Sequence, residues 1–189
     1  MLVRGFKTKC ENISFEIRKK LGLKKFDPLS PEALAEYLGV YLLKPTDIEN
    51  LSEQSRIQLL RKDKKSWSAV TISYLGVDII AYNPTHSPWR HSSDIMHELS
   101  HIILGHKPSQ IVFLTPDTQI ALRDYNQDLE EEAIWLSGCL LLPREALLSI
   151  KRSSLSNSDA CHKYSVSSDL LTFRMNKTGV NYQIKAGGY

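Results

Sequence analysis

Two histidines four residues apart, with a glutamate directly after the first, give His97-Glu98-Leu99-Ser100-His101 the residue types and spacing of a metal-dependent hydrolase. On a helix both imidazoles stand on one face, one turn apart, so two ring nitrogens converge on a single tetrahedral ion. Glu98 is rotated by about 100° from its neighbour, which turns its carboxylate to the open side of the metal, where it serves as general base. Ordinary residue usage yields this HExxH pattern by accident in roughly one chain of this length in a few hundred. The competing reading is a pair of hydrogen-bonded core histidines. Leu99, Ile102 and Ile103 oppose it, because they form an apolar face that buries the helix and aims the polar groups at a common site.

A hydrolytic zinc site takes three protein ligands and a water, so a third side chain must arrive from elsewhere. The run Leu129-Glu130-Glu131-Glu132-Ala133 is the outstanding source. Periodicity does not choose among its three glutamates, and a solvated acidic helix end competes evenly. Arg90 and His91, ahead of the helix, are positioned to bind a carbonyl or stabilise an oxyanion; Arg90 is equally suited to tying the loop down by an ion pair. His106 lies about 140° around the helix from His101 and past Gly105, which reads as capping or surface, with a lesser chance of substrate contact.

The elements that must position these groups follow from local signals. Ile13, Ile17 and Leu21 mark a helix from Cys10 to Leu21, ended by Gly22. Ser30 caps a second helix with Pro31 at its first position, stopping at Gly39. Val40–Leu43, Ile57–Leu60, Trp67–Ser73 and Val77–Tyr82 read as strands, with a hairpin turn at Tyr74-Leu75-Gly76. Ser92 or Ser93 caps the HExxH helix, which runs to Gly105. Further helices are expected over 128–141, before Pro143, and over 144–150. The serine-rich stretch Ser153–Ser158 reads as a linker, dividing a domain of residues 1–152 from a small helical extension of residues 153–189.

The 189 residues are 42% hydrophobic and 24% charged, which excludes a disordered or fibrous chain. A net charge of +3 and short lysine and arginine clusters without interleaved aromatics exclude a strong nucleic-acid footprint. Cys10, Cys139 and Cys161 form no CxxC pair, which fits a reducing cytoplasm. No apolar run has the length of a membrane span or a signal sequence, so a soluble cytoplasmic protein is expected.

Around the pentapeptide the sequence resembles the ImmA/IrrE metallopeptidases. Arg90 precedes the motif, Leu104-Gly105-His106 follows it, and the segment Glu130-Glu131-Glu132-Ala133 through Leu141-Leu142-Pro143 has the form ExEAxxxAxxLLxP. The similarity extends back through Leu34–Val40. Ser100 stands where glycine is frequent, and Ser137-Gly138 replaces a pair of alanines. The resemblance implies a zinc endopeptidase with His97, His101 and Glu130 as ligands, Glu98 as base, and Glu132 as a supporting residue. It also implies a helix-turn-helix repressor as substrate, in a mobile-element or stress-response circuit. The expected fold is α+β and zincin-like, a small antiparallel sheet packed on the HExxH helix and further helices. The rival reading is a regulatory protein-binding or DNA-binding module with a structural or vestigial zinc, drawn from Val166, Ser167, Leu170, Leu171, Arg174 and Gly179, which resemble the end of a helix-turn-helix unit. A zinc hydrolase acting on a non-peptide bond is a third possibility.

Overall fold

The first helix, α1 (Phe6–Lys20), begins four residues before the expected Cys10, in a computed structural model that describes residues 2–106, 110–115, 118–122, 126–153 and 155–186. Its buried stripe is Phe6, Cys10, Ser14, Ile17 and Arg18. Two of these are polar, and apolar periodicity does not register them. Helix α2 (Pro31–Leu38) forms as expected, with the Ser30 hydroxyl accepting from the amides of Glu32 and Ala33 and Gly39 closing it at φ 70°.

Strand β1 (Tyr41–Leu43) leads into a helical segment, not a strand, where residues 57–60 were expected to extend: α3 (Glu53–Ile57) continues into a π-helical turn, Gln58–Lys62. Ser52 is the cause, because its hydroxyl caps the Ser55 amide and starts a helix into which the short apolar run is drawn. Strands β2 (Ala69–Tyr74) and β3 (Val77–Tyr82) form the expected hairpin. Leu75 and Gly76 both have positive φ, 49° and 79°, the conformation of a two-residue turn whose twist matches its strands. β1 pairs with β3 in parallel, so the sheet is mixed and not wholly antiparallel as expected. The chain reaches β3 from β1 through α3 and β2, a crossover long enough to allow parallel pairing.

Helix α4 (Pro88–Leu104) carries the HExxH segment. It begins before Ser92 and Ser93: Ser87 is the cap, its hydroxyl accepting from the Arg90 amide, and Pro88 takes the first position. Ser92 is inside the helix and buried. Two strands to which the sequence reading assigned no element, β4 (Gln110–Thr115) and β5 (Thr118–Leu122), extend the sheet to the order β1-β3-β2-β5-β4, with β5 meeting β2 at Ser73↔Ala121. The chain ends in α5 (Gln127–Leu141), α6 (Arg144–Arg152), α7 (Asn157–Tyr164), α8 (Ser168–Lys177) and α9 (Val180–Ala186).

Within the stretch read as a linker, Ser156 caps α7; Ser154 and residues 187–189 lie outside the described residues. Ala160, Cys161, Leu171 and Met175 belong to the same core cluster as Leu99 of α4 and Leu136 of α5. Two fully buried arginines join this core to the C-terminal end of α5. Arg18 donates to the Leu140 carbonyl at 2.6 Å and Arg174 to the Leu142 carbonyl at 3.0 Å, satisfying acceptors that a helix end leaves open. Desolvation lowers the Arg18 pKa to about 10. Arg174 also pairs with Glu11 at 2.6 Å, and a side chain at Gly138 would meet it, since a Cβ there would lie 3.1 Å from its Cδ. Arg174 was read as a group that could meet DNA; at 0% exposure it faces the core instead. Among the described residues no single helix is long and apolar enough to cross a membrane.

Candidate active site

Helix α4 packs against α5 and buries Ile95, Met96 and Leu99 in the core, and His97 and His101 meet Glu130 in the first turn of α5. Three donor atoms converge there. His97 Nε2 lies 3.1 Å from His101 Nε2 and 3.0 Å from a Glu130 oxygen, whose other oxygen is 3.4 Å from His101 Nε2. Ligand atoms about 2.0–2.1 Å from a tetrahedral zinc sit about 3.3 Å from one another, so the donor triangle has the size that ion requires. The chemistry of the set, two imidazoles and one carboxylate, also fits. Of the three consecutive glutamates, Glu130 meets the histidine pair, Glu132 meets His106, and Glu131 accepts from the Gln127 amide at 3.5 Å.

Glu98 is half-buried, and one of its oxygens accepts a 2.5 Å hydrogen bond from the Thr71 hydroxyl on β2. Thr71 had no signal in the sequence; it was one β-branched residue in a strand. A bond of this kind to a charged acceptor contributes about 1.5–3 kcal/mol, part of which reappears as orientation of the carboxylate. Thr71→Val is expected to lower kcat about tenfold with bound metal unchanged. A loss of metal instead would show that Thr71 supports the fold of the site and not the pose of Glu98.

His106 was expected at a cap or the surface, and the structure buries it against His101, Nδ1 to Nδ1, at 2.8 Å. Its Nε2 is 3.2 Å from Glu132. The angular estimate assumed that the helix continues, whereas Gly105 at φ 71° ends it. The Gly105 amide bonds to the Ile102 carbonyl and the His106 amide to the His101 carbonyl, a paired closure that folds residue 106 back under residue 101. The Gly105 conformation is one that side-chain-bearing residues rarely adopt, which gives the Leu-Gly-His sequence its physical sense.

Arg90 and His91 lie in the first turn of α4, not in a preceding loop. Arg90 donates to Ser68 at 2.9 Å and pairs with Asp94 at 3.6 Å, the tie that was one of its two readings. His91 packs edge-on against Tyr82, with ring centroids 5.7 Å apart. Neither lines the cleft of about 560 Å³ that opens on His97 and Glu98; Ser68, Ala69, Ile134 and Phe173 do. Ser100, where glycine was noted as frequent, is buried and turns its hydroxyl back to the Met96 carbonyl at 2.7 Å, so it adds no unpaired polar group to the α4 face. The three cysteines are buried, and the Cys139 thiol is pushed up by its hydrogen bond with Cys10 and then by burial, which makes it a core side chain and not a nucleophile.

Residues 35–176 match the family model of peptidase M78, described as the IrrE N-terminal-like domain. No curated protein matches the chain.

Proposed function

The chain belongs to the peptidase M78 family, the IrrE N-terminal-like domain, and from that premise we propose that it is a zinc-dependent endopeptidase with His97, His101 and Glu130 as ligands and Glu98 as general base. The observation that carries this reading is the convergence of two imidazole nitrogens and a carboxylate within 4.8 Å of one another, at a cleft that Glu98 also lines. Zinc held by these three groups would supply Lewis acidity, polarising the scissile carbonyl and making a water acidic near neutral pH. Glu98 accepts the proton of the attacking water and returns it to the leaving amine, so the carboxylate is regenerated at each turnover. Thr71 keeps that carboxylate aimed during both transfers. The substrate backbone extends along β2, where Ser68 and Ala69 line the cleft and the described pairing with β5 lies further on, at Ser73.

Glu132 and His106 orient a ligand. With His101 Nε2 turned to His97 and Glu130, its Nδ1 carries the proton and donates to His106 Nδ1; His106 then carries its own proton on Nε2 and donates to Glu132. Outer partners of this kind change metal affinity by about 10–100-fold. His106→Ala is expected to weaken zinc binding by that factor in competition with a chromophoric chelator. Unchanged affinity would remove His106 and Glu132 from the site.

The resemblance to ImmA/IrrE proteins directs the substrate to a DNA-binding repressor of the helix-turn-helix type. The test is incubation of the purified chain with such a repressor beside metal analysis, before and after chelation. One zinc per chain and cleavage that stops on chelation and returns with zinc are expected. A zinc-loaded chain that leaves repressors intact but cuts other peptides overturns the substrate; one that cuts no peptide overturns the endopeptidase reading.

A further inference from the structure

The cleft beside His97 and Glu98 is lined by three helices with different work. α4 brings His97 and Glu98, while α5 and α8 contribute the apolar Ile134, Leu170 and Phe173 together with Ser137 and Asp169. Ile134 is a large aliphatic side chain left 52% exposed, and Leu170 and Phe173 are half-buried. Uncovered apolar groups in a concave surface next to reacting groups gain free energy when an apolar partner covers them. Their support is rigid. Phe173 meets Trp135 edge-on at a centroid distance of 6.0 Å, and its neighbour Arg174 anchors α8 to Leu142 and Glu11. A cleft of about 560 Å³ takes one bulky side chain together with adjoining backbone.

We propose that Ile134, Leu170 and Phe173 form the specificity pocket of this peptidase, receiving the side chain of a bulky apolar residue next to the scissile bond. The proposal rests on the endopeptidase reading above. It makes α8 part of the substrate site, so selection among peptides is decided by a segment some seventy residues beyond the HExxH motif in the chain.

The test uses the full zinc-loaded chain and a peptide library varied on both sides of the cleaved bond. Wild type is expected to favour leucine, methionine or phenylalanine at one flanking position over alanine or aspartate, by tenfold or more in kcat/KM. Ile134→Trp, at a half-exposed site where the fold tolerates change, fills the pocket; it should reduce that preference at least tenfold, mainly through KM. Phe173→Ala enlarges the pocket and should shift the optimum to larger side chains. A second readout needs no turnover: Glu98→Gln protein should bind labelled peptides in the same order of preference, and Ile134→Trp should abolish that order. If wild type cleaves but the variants keep its profile, the pocket is wrong and the peptidase stands. If zinc-loaded wild type cleaves nothing, the endopeptidase reading falls and the pocket falls with it.

Discussion

Glu98→Gln is expected to cut kcat by roughly 10²–10⁴-fold, the contribution of a positioned general base, while zinc content stays at one per chain. Glutamine has the shape of glutamate, and its carbonyl oxygen can still accept from Thr71, so the side chain keeps its place on the cleft. What it loses is the capacity to take up a proton near neutral pH. The three metal-directed groups, His97, His101 and Glu130, are untouched. Zinc analysis together with single-turnover cleavage separates the two effects. Cleavage that survives with zinc retained would assign the base to another group and sink the proposed mechanism. The same variant bears on the reading of a zinc hydrolase acting on another bond, since that chemistry also needs a base. There the library profile decides, because only a peptidase responds to residues flanking an amide.

Glu130→Ala should weaken zinc binding by roughly a hundredfold, because a structural zinc bound by about 10–16 kcal/mol through four ligands draws roughly 3 kcal/mol from each. Two imidazoles remain, and the third corner of the donor triangle is gone. The neighbouring glutamates supply the controls. Glu131→Ala should leave affinity unchanged, since Glu131 accepts from Gln127 on its own helix. Glu132→Gln should fall between, acting through His106. The order is also readable as stability: zinc at a thousand times its Kd adds about 4.1 kcal/mol to folding, and that increment should disappear first in Glu130→Ala. Full affinity in that variant would return the third ligand to an open question.

Removing residues 153–189 does not separate a peptidase from a DNA-binding module. Ala160, Cys161, Leu171 and Met175 sit in the common core and Arg174 is bonded to α5, so the deletion damages the fold under either reading. Substitutions at Ile134 and Glu98, which leave the core intact, carry the distinction.

What could be read in advance was whatever is decided locally. Ser30 with Pro31, Gly39, Gly105 and the β2–β3 turn are short-range signals, and each stands as expected. The pentapeptide was legible because helical spacing alone brings His97 and His101 to one face. Residues 57–60 were misread because a short apolar run does not distinguish strand from helix, and the cap at Ser52 decided it. Ser92 was a credible cap, but Ser87 followed by Pro88 offers the same chemistry five residues earlier. The parallel pairing of β1, the burial of Arg18 and Arg174, and the bond from Thr71 to Glu98 all join residues distant in the chain. No local pattern encodes them. The choice of Glu130 came from family resemblance; what brings its carboxylate beside His97 and His101 is the relative placement of α4 and α5, which periodicity does not contain.

The division of the cleft between α4 with α5 and α8 bears on how such proteins diversify. On the proposed reading the metal-directed groups and the base stand on α4 and α5, whereas Leu170 and Phe173 stand on α8, which carries none of them. Selectivity and chemistry are therefore open to change one at a time. Grafting α8 from one relative onto another, with Arg174 and Gly138 kept as the fitting, is a direct route to a protease with a new target.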